Sequence, residues 1–370
     1  MKTFTKNHTA DTKNHMKPTL TSKPTLLQPR RLIGLALMAA LITTGLPQSQ
    51  AQAAGNLNLY TARHYSSDDA LYEKFTQTTG IKVNVVSAGD EALLQRIKSE
   101  GAASPGDVLL LADAARLYAA EQDGLFQPTS SQLLQKAIPA NLRSGSLWFG
   151  LTTRARVLVI DPARVKPEMV KTYADLASPA LKGLVCTRTA SHPYMISLIA
   201  SQAAHLGADK TEAWAKGVVA NLARKPKGGD TDQIKAVASG ECGVAVSNSY
   251  YYARLMRSTK PEDKAVIAKT KLIWPDQAGR GTHINISGGG TLKNAPNREN
   301  ARKFLEFLAS KEIQADFADG NNEWPVVAGV KTNNPALKSL GAFKRDTQAI
   351  SDFAQQIRSA QQIADKTGWK

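Results

Sequence analysis

Three successive tyrosines are the most unusual chemical feature of the sequence. They end the segment Asn248-Ser249-Tyr250-Tyr251-Tyr252, which directly follows the apolar run Cys242-Gly243-Val244-Ala245-Val246-Ser247. A short apolar run predicts a buried strand, and tyrosines at its carboxyl end would place several phenol oxygens in one small volume. A phenolate is a hard oxygen donor, which suits a small and highly charged cation. The alternative is that these rings only pack in the core, as aromatic residues near strands often do.

Two further tyrosines follow predicted strands. Tyr65 ends the segment Ala62-Arg63-His64-Tyr65 after the first strand, and Tyr194 follows the strand that contains Cys186. Ligands of open parallel sheets bind beyond the carboxyl ends of the strands. Tyr65, Tyr194, Tyr250 and Tyr251 are therefore candidate ligands from three separate loops. His64 is a candidate imidazole ligand, and the alternative for it is a loop histidine bonded to backbone.

The order of predicted elements indicates an α/β fold with parallel strands. The first set comprises strands at 57–60, 81–85 and 107–111 and helices at 68–78, 91–100 and 114–121. The second set comprises strands at 184–187, 242–247 and 283–286 and helices at 193–206, 211–222, 232–238, 298–308 and 343–364. Between them, the strand-like stretch 148–160 is long enough to cross from one lobe to another.

The amino-terminal segment 1–53 is predicted to be a cleaved secretory signal peptide. It has a basic start, an apolar stretch at 32–42 and the small-residue motif Ala51-Gln52-Ala53. A membrane anchor is the alternative, but the apolar stretch is too short and lacks a basic flank on its far side.

Without the segment 1–53, the chain keeps 40 basic and 30 acidic residues, a net charge of +10. No run of five or more basic residues occurs, so no nucleic-acid partner is expected.

The sequence lacks the common catalytic motifs. Ser287-Gly288-Gly289-Gly290-Thr291 is rich in glycine but has no Gly-Lys-Ser/Thr ending, so it predicts a tight passage of the chain instead of a phosphate loop. Neither a G-x-S-x-G elbow nor an HExxH motif is present. The absence of a nucleophile–base pattern argues against an enzyme. A secreted hydrolase and a structural envelope protein are the alternatives from other functional classes.

Five motifs occur in an order that resembles the periplasmic ferric-iron-binding proteins of bacterial ABC importers, and specifically their tyrosine-rich subgroup. The resemblance covers essentially the whole chain after the signal segment. The motifs are Tyr60-Thr61-Ala62-Arg63-His64-Tyr65, Gly80-Ile81-Lys82-Val83, Ser104-Pro105-Gly106-Asp107-Val108, Arg154-Ala155-Arg156-Val157 and Asn248-Ser249-Tyr250-Tyr251. The order of the motifs is specific, whereas any one of them alone would be weak.

The resemblance implies a two-lobed periplasmic solute-binding fold of type II, in which each lobe is a central sheet flanked by helices. The implied ligands of Fe³⁺ are Tyr65, Tyr194, Tyr250 and Tyr251, with His64 as a fifth. Another branch of the family has a glutamate ligand after the third strand. This chain has Ala112 and Asp113 there, so no carboxylate ligand is predicted.

Two arginines are expected near the iron. Arg63 and Arg154 would hold a synergistic anion such as carbonate or neutralise the phenolates. The alternative is that they are ordinary surface or salt-bridge residues. The resemblance also implies delivery of iron to an inner-membrane ABC permease by a periplasmic monomer. The same fold binding another anion or a chelated metal remains an alternative to ferric iron.

Lobe boundaries follow from the same resemblance. One lobe is predicted to comprise 54–154 and 285–334, and the other 155–284 and 335–370.

The only two cysteines are expected to form a disulfide, because oxidising compartments favour this use. Cys186 and Cys242 each lie eight residues before a proposed ligand tyrosine, at the start of a predicted strand. Two buried, unbonded cysteines are the alternative.

Overall fold

The computed structural model describes residues 55–63 and 65–370. The predicted signal peptide at 1–53 and the candidate ligand His64 lie outside the described residues. In the part of the chain that is described, no helix is both long enough and apolar enough to cross a membrane.

Ten strands are present in the described part of the chain. They are β1 (Asn56–Thr61), β2 (Lys82–Ser87), β3 (Val108–Leu111), β4 (Arg143–Ser144), β5 (Trp148–Ile160), β6 (Val185–Cys186), β7 (Val244–Asn248), β8 (Lys271–Ile273), β9 (Ile284–Thr291) and β10 (Trp324–Pro325). The main path of paired strands is β2-β1-β3-β9-β5-β7-β6, and β4, β8 and β10 each pair with β5.

The strand pairing is mixed, which corrects the prediction of parallel strands alone. β1 pairs parallel with β2 and β3, and β6 pairs parallel with β7. However, β9 runs antiparallel to β3, and β5 runs antiparallel to both β9 and β7. β5 and β9 therefore carry the chain across between the two parallel groups of strands.

The long strand β5 joins the two groups because its two parts have different partners. Residues from Phe149 to Ala155 pair with β9, whereas residues from Arg156 to Ile160 pair with β7 and β8. The whole strand is buried. The predicted crossing at 148–160 is confirmed in its bounds. The lobe boundaries that we derived from the resemblance stay a prediction.

The glycine-rich segment Ser287–Thr291 is the end of β9, and the chain passes tightly against its neighbours there, as predicted. A side chain at Gly289 would place its first carbon 2.3 Å from the carbonyl oxygen of Leu109. At Gly290 that carbon would lie 2.1 Å from the carbonyl oxygen of Leu147. Glycine is therefore required because neighbouring backbone approaches β9 too closely for any side chain.

Fourteen α-helices flank the strands in the described residues. They are α1 (Ser66–Thr79), α2 (Asp90–Glu100), α3 (Ala114–Gln122), α4 (Gln132–Ala137), α5 (Pro193–Leu206), α6 (Ala208–Ala220), α7 (Asp230–Ala238), α8 (Ser249–Arg257), α9 (Pro261–Lys269), α10 (Arg298–Leu308), α11 (Lys311–Asn321), α12 (Pro335–Leu340), α13 (Ile350–Ala354) and α14 (Ile357–Thr367). Helices α5 and α10 have the predicted bounds, and α4, α8, α9, α11 and α12 were not predicted.

The single helix that we predicted at 343–364 is wrong. Its first part is extended because it bonds to the backbone of Thr282. The amide of Thr282 donates to the carbonyl of Lys344 at 2.9 Å, and the amide of Asp346 donates to the carbonyl of Thr282 at 2.9 Å. The helical remainder is divided into α13 and α14. A backbone partner that is distant in sequence thus overrides the local helical pattern.

Cys186 and Cys242 form a disulfide, as predicted. Their Cα atoms are 5.9 Å apart, and the bond closes a loop with a sequence separation of 56 residues. Cys186 ends β6 and Cys242 precedes β7, so the bond connects two strands that are also paired in the sheet. Both residues are fully buried.

Removing this bond is expected to reduce stability. A loop of this length loses chain entropy in the unfolded state when it is closed, so C186A/C242A should lower the free energy of unfolding by about 2–4 kcal/mol. Urea unfolding followed by circular dichroism measures the change. Reductant should destabilise the wild type and leave the double variant unaffected, and equal stability of the two proteins without reductant would contradict the prediction.

Candidate metal centre

The consecutive tyrosines lie on a helix, which corrects the prediction that they belong to a loop at the end of the strand. β7 ends at Asn248, and Tyr250, Tyr251 and Tyr252 occupy the first turns of α8. Successive side chains of a helix point about 100° apart, so the three rings face different directions. The hydroxyl of Tyr252 donates to the carbonyl of Thr270 at 3.0 Å. Tyr252 is therefore directed away from the other two.

The structure brings four predicted ligands together. The phenol oxygens of Tyr194 and Tyr250 are 3.2 Å apart. The ring of Tyr65 lies edge-on to the ring of Tyr250, with 6.1 Å between the ring centres. The ring of Tyr251 lies 4.2 Å from that of Tyr250. Tyr65 immediately precedes α1 and Tyr194 lies in the first turn of α5, so three separate helix starts supply the four side chains.

Two arginines border this cluster and are buried, which settles one alternative for them: neither is a surface residue. The guanidinium of Arg63 bonds to Asp68 at 2.6 Å and lies 3.4 Å from Glu323. Arg154 lies 3.7 Å from both Asp113 and Glu323. Arg63 also lies over the ring of Tyr65, 5.0 Å from its centre. Both arginines are therefore ion-paired and in contact with the tyrosine cluster.

A further buried ion pair lies near Tyr194. Arg156 pairs with Asp230, and Arg188 lies 3.4 Å from the same carboxylate. The ring of Tyr194 is faced by three guanidinium groups, with distances of 5.3 Å from Arg154, 6.0 Å from Arg156 and 5.2 Å from Arg188. Positive charge is thus concentrated around this one phenol ring.

The pKa values of three phenols in the cluster, those of Tyr65, Tyr194 and Tyr250, are raised. Burial raises the pKa of Tyr194 to about 12, although Arg154 opposes the shift. Burial also raises the pKa of Tyr250 well above its usual value of about 10, and the neighbouring tyrosines add to the shift. The pKa of Tyr65 is raised by burial and by the carboxylate of Glu323. A cation that binds these oxygens must therefore displace their protons.

Glu323 is the main site residue that the sequence analysis missed. It is fully buried. It accepts a hydrogen bond from Thr152 at 2.9 Å, and its other oxygen lies 3.5 Å from the hydroxyl of Tyr65. One feature of the sequence could have indicated Glu323: it is the only charged residue in the stretch 320–330. Charged residues in such a context are rarely buried unless they are paired.

Asp113 makes several hydrogen bonds that position neighbouring elements of the site. It caps α3 by accepting from the amide of Ala115 at 2.8 Å, and it also accepts from Ser197 and Asn285. Burial raises the pKa of Asp113 to about 6, and Arg154 opposes that shift.

The chemistry of the centre is set by phenol oxygens. Among the described residues, no group of three or more His, Cys, Asp or Glu side chains is placed to hold a metal ion. The four tyrosines instead offer hard anionic donors once they lose their protons. Such a donor set suits a trivalent cation better than a soft or weakly charged one.

Comparison with known proteins gives one family and a consistent set of relatives. The model of the bacterial extracellular solute-binding protein family matches residues 70–345. Iron uptake protein A1 from Synechocystis sp. is 49% identical over 85% of this chain and 87% of its own length. The Fe(3+)-binding periplasmic protein from Serratia marcescens is 28% identical over 86% of this chain and 93% of its own length.

Solved structures agree with this result. Trichodesmium FutA in complex with iron and citrate ligands has a TM-score of 0.83 and 51% identity, covering 85% of this chain and all of that chain. The ferric binding protein from Campylobacter jejuni has a TM-score of 0.80 and 41% identity over the same shares of both chains. These neighbours confirm the predicted type II periplasmic solute-binding fold.

Replacing Glu323 by Gln is expected to destabilise the protein. The substitution removes one negative charge from between two buried guanidinium groups, and an uncompensated buried charge costs about 3 kcal/mol. Urea unfolding measures the loss. Glu312→Gln is the matched control, because Glu312 pairs with Lys74 at an exposed position. Similar stability for both variants would show that Glu323 does not balance the arginines.

Proposed function

The chain belongs to the bacterial extracellular solute-binding protein family, and we propose that it binds ferric iron and delivers it to an inner-membrane ABC permease. The names of its relatives support iron as the cargo, because iron uptake and Fe(3+)-binding proteins are among them. The observation that carries the proposal is the 3.2 Å approach of the Tyr194 and Tyr250 oxygens beside the ring of Tyr65. The protein is thus a carrier and not an enzyme.

The proposed ligands are the oxygens of Tyr65, Tyr194, Tyr250 and Tyr251. His64 precedes Tyr65 in the chain and is proposed as a fifth ligand on the basis of the sequence alone. The role of the ion is electrostatic as well as structural, because a bound cation favours the ionised form of each phenol. Three phenolates balance the charge of Fe³⁺, and a fourth leaves one negative charge.

Arg154 is proposed to stabilise the fourth phenolate through hydrogen bonds. It has two nitrogens, Nε and Nη2, that are buried and make no hydrogen bond to any described residue. Such donors are costly to bury without an acceptor. They suit either the Tyr194 phenolate or a small synergistic anion such as carbonate. Arg63 has the equivalent role beside Tyr65, where it already contacts the ring.

The remaining parts of the proposal concern the cellular setting. The segment 1–53 is proposed to export the chain to the periplasm, where it acts as a monomer. Tyr65 belongs to the proposed lobe 54–154 and 285–334, whereas the other three tyrosines belong to the proposed lobe 155–284 and 335–370. Iron would therefore bind best when the two lobes close around it, as in hinged binding proteins.

Tyrosine-to-phenylalanine variants test the ligand set. Tyr250→Phe and Tyr251→Phe each remove one oxygen and keep the ring, so packing should be preserved. Iron affinity should fall by more than about a hundredfold, because even indirect support of a metal ligand is worth 10–100-fold. Competition with a chelator measures the affinity, and the phenolate-to-iron absorption band should weaken or shift.

Tyr252→Phe is the control for these variants. Its hydroxyl bonds to Thr270 and not to the cluster, so its iron affinity should match the wild type. Equal iron binding by all three variants would contradict the proposed ligands. A wild-type protein that develops no absorption band with ferric iron would contradict the proposed cargo and favour another anion or a chelated metal.

The pKa shifts predict how pH acts on iron binding. The pKa values of Tyr65, Tyr194 and Tyr250 are raised above pH 7, so these three phenols carry their protons at that pH and binding must release them. Affinity should therefore rise with pH and fall with acid, by about a factor of ten per pH unit for each proton displaced. A pH-stat experiment under saturating iron should find about one proton fewer for Tyr250→Phe than for the wild type. Equal release would show that Tyr250 does not ionise.

A further inference from the structure

The carboxylate of Asp230 contacts three separate segments of the chain. Asp230 is the first residue of α7 and is fully buried. It accepts hydrogen bonds from Arg156, from the backbone amide of Asn248 at 2.7 Å and from Arg188 at 3.4 Å. Arg156 belongs to β5, Arg188 lies between β6 and α5, and Asn248 ends β7. One buried carboxylate therefore connects these three segments.

Two of the segments lead directly into proposed iron ligands. Asn248 immediately precedes α8, in which Tyr250 is the second residue. Arg188 lies in the segment that joins β6 to α5, in which Tyr194 is the second residue. The position of each of these two phenol oxygens therefore depends on where its helix begins.

Arg156 extends the contact of Asp230 to both helix starts. Its guanidinium donates to the side-chain oxygen of Asn248 at 3.1 Å and to the sulfur of Met195 at 3.1 Å. Met195 directly follows Tyr194 in the chain, and both Arg156 and Met195 are buried. The ion pair of Asp230 and Arg156 thus contacts a chain neighbour of Tyr194 and also the residue that precedes α8.

We propose that Asp230 is a positioning residue, which holds the phenol oxygens of Tyr194 and Tyr250 at a separation that suits one shared metal ion. These oxygens are 3.2 Å apart, and Asp230 acts on them through the segments that it connects. Distances in a metal site are fixed to within about 0.2 Å, so a small shift of either helix start would weaken binding. This inference rests on the proposed function, because it concerns two of the same ligands.

Stability alone is the alternative role of a buried carboxylate, and Asp107 offers a matched control for it. Asp107 is fully buried and accepts from the backbone amides of Asn58 at 2.8 Å and Asn297 at 2.7 Å. It precedes β3, which runs parallel to β1. Tyr65 follows the carboxyl end of β1, so Asp107 lies at the opposite end of these strands. It therefore connects distant segments without supporting a proposed ligand.

The experiment compares Asp230→Asn with Asp107→Asn. Asparagine has nearly the size of aspartate but no charge and only one acceptor oxygen, so both variants should unfold at lower urea concentrations than the wild type. Iron affinity, measured by competition with a chelator, should fall about ten- to a hundredfold for Asp230→Asn, as for other residues that orient metal ligands. The phenolate-to-iron absorption band should shift in the same variant. Asp107→Asn should keep the affinity and the band of the wild type.

The double variant Asp230→Asn/Arg188→Gln separates position from charge. It removes one negative and one positive charge, so the net charge near Tyr194 stays the same. It also leaves one fewer buried guanidinium without a carboxylate than Asp230→Asn does, and it decides the question if the single variant does not fold. Because the connection between the segments is still broken, its iron affinity should fall about tenfold or more.

Three results would overturn this inference alone. They are wild-type affinity and spectrum in Asp230→Asn, restored affinity in the double variant, and an equal loss of affinity in Asp107→Asn. The second would show an effect of charge, and the third would show a general effect of lost stability. A wild-type protein that develops no phenolate-to-iron band with ferric iron would instead contradict the proposed function.

Discussion

The site depends on the burial of two arginines at alternate positions of one strand. Arg154 and Arg156 both lie on β5 and point to the same face of it, and neither charge is tolerated in the interior without a partner. Their carboxylates come from segments far apart in the sequence: Asp113 before α3, Glu323 after α11 and Asp230 at the start of α7. The ion pairs therefore fix three distant segments around the strand that joins the two groups of strands. The tyrosines that precede or begin α1, α5 and α8 converge within this frame.

Charge balance explains why so many ionisable groups are tolerated together. The site contains four guanidinium groups and four buried carboxylates. The guanidinium groups belong to Arg63, Arg154, Arg156 and Arg188, and the carboxylates belong to Asp68, Asp113, Asp230 and Glu323. Before any metal binds, the phenols of Tyr65, Tyr194 and Tyr250 are neutral because burial raises their pKa values. The metal-free interior is therefore close to electrically neutral. Phenol differs in this respect from a carboxylate, which would stay ionised and unpaired without the metal.

The sequence predicted the local elements and the candidate tyrosines better than the contacts between distant segments. The crossing strand 148–160 and the helix 193–206 were predicted with their observed bounds, because continuous apolar character and helical periodicity are local signals. The tyrosines were found through their positions after strands, although those of α8 were placed on the wrong element. Glu323 was missed, because its importance arises from Arg63, which is 260 positions away. The extended segment around Arg345 was missed for the same reason, since its backbone partner is Thr282.

In the proposed ligand set, the number of phenols would set which cation the site favours. A trivalent ion is neutralised by three phenolates, and the guanidinium of Arg154 beside Tyr194 would stabilise a fourth through hydrogen bonds. A divalent ion would be neutralised by two, so each further phenol would either stay protonated and a poor donor or add an unbalanced buried charge. Displacing a proton from a phenol whose pKa is near 12 costs more than displacing one from an exposed phenol. Only an ion with a strong attraction for hard anionic oxygens offsets this cost for several phenols at once. The ligand chemistry therefore disfavours weakly charged cations, whatever the contact distances are.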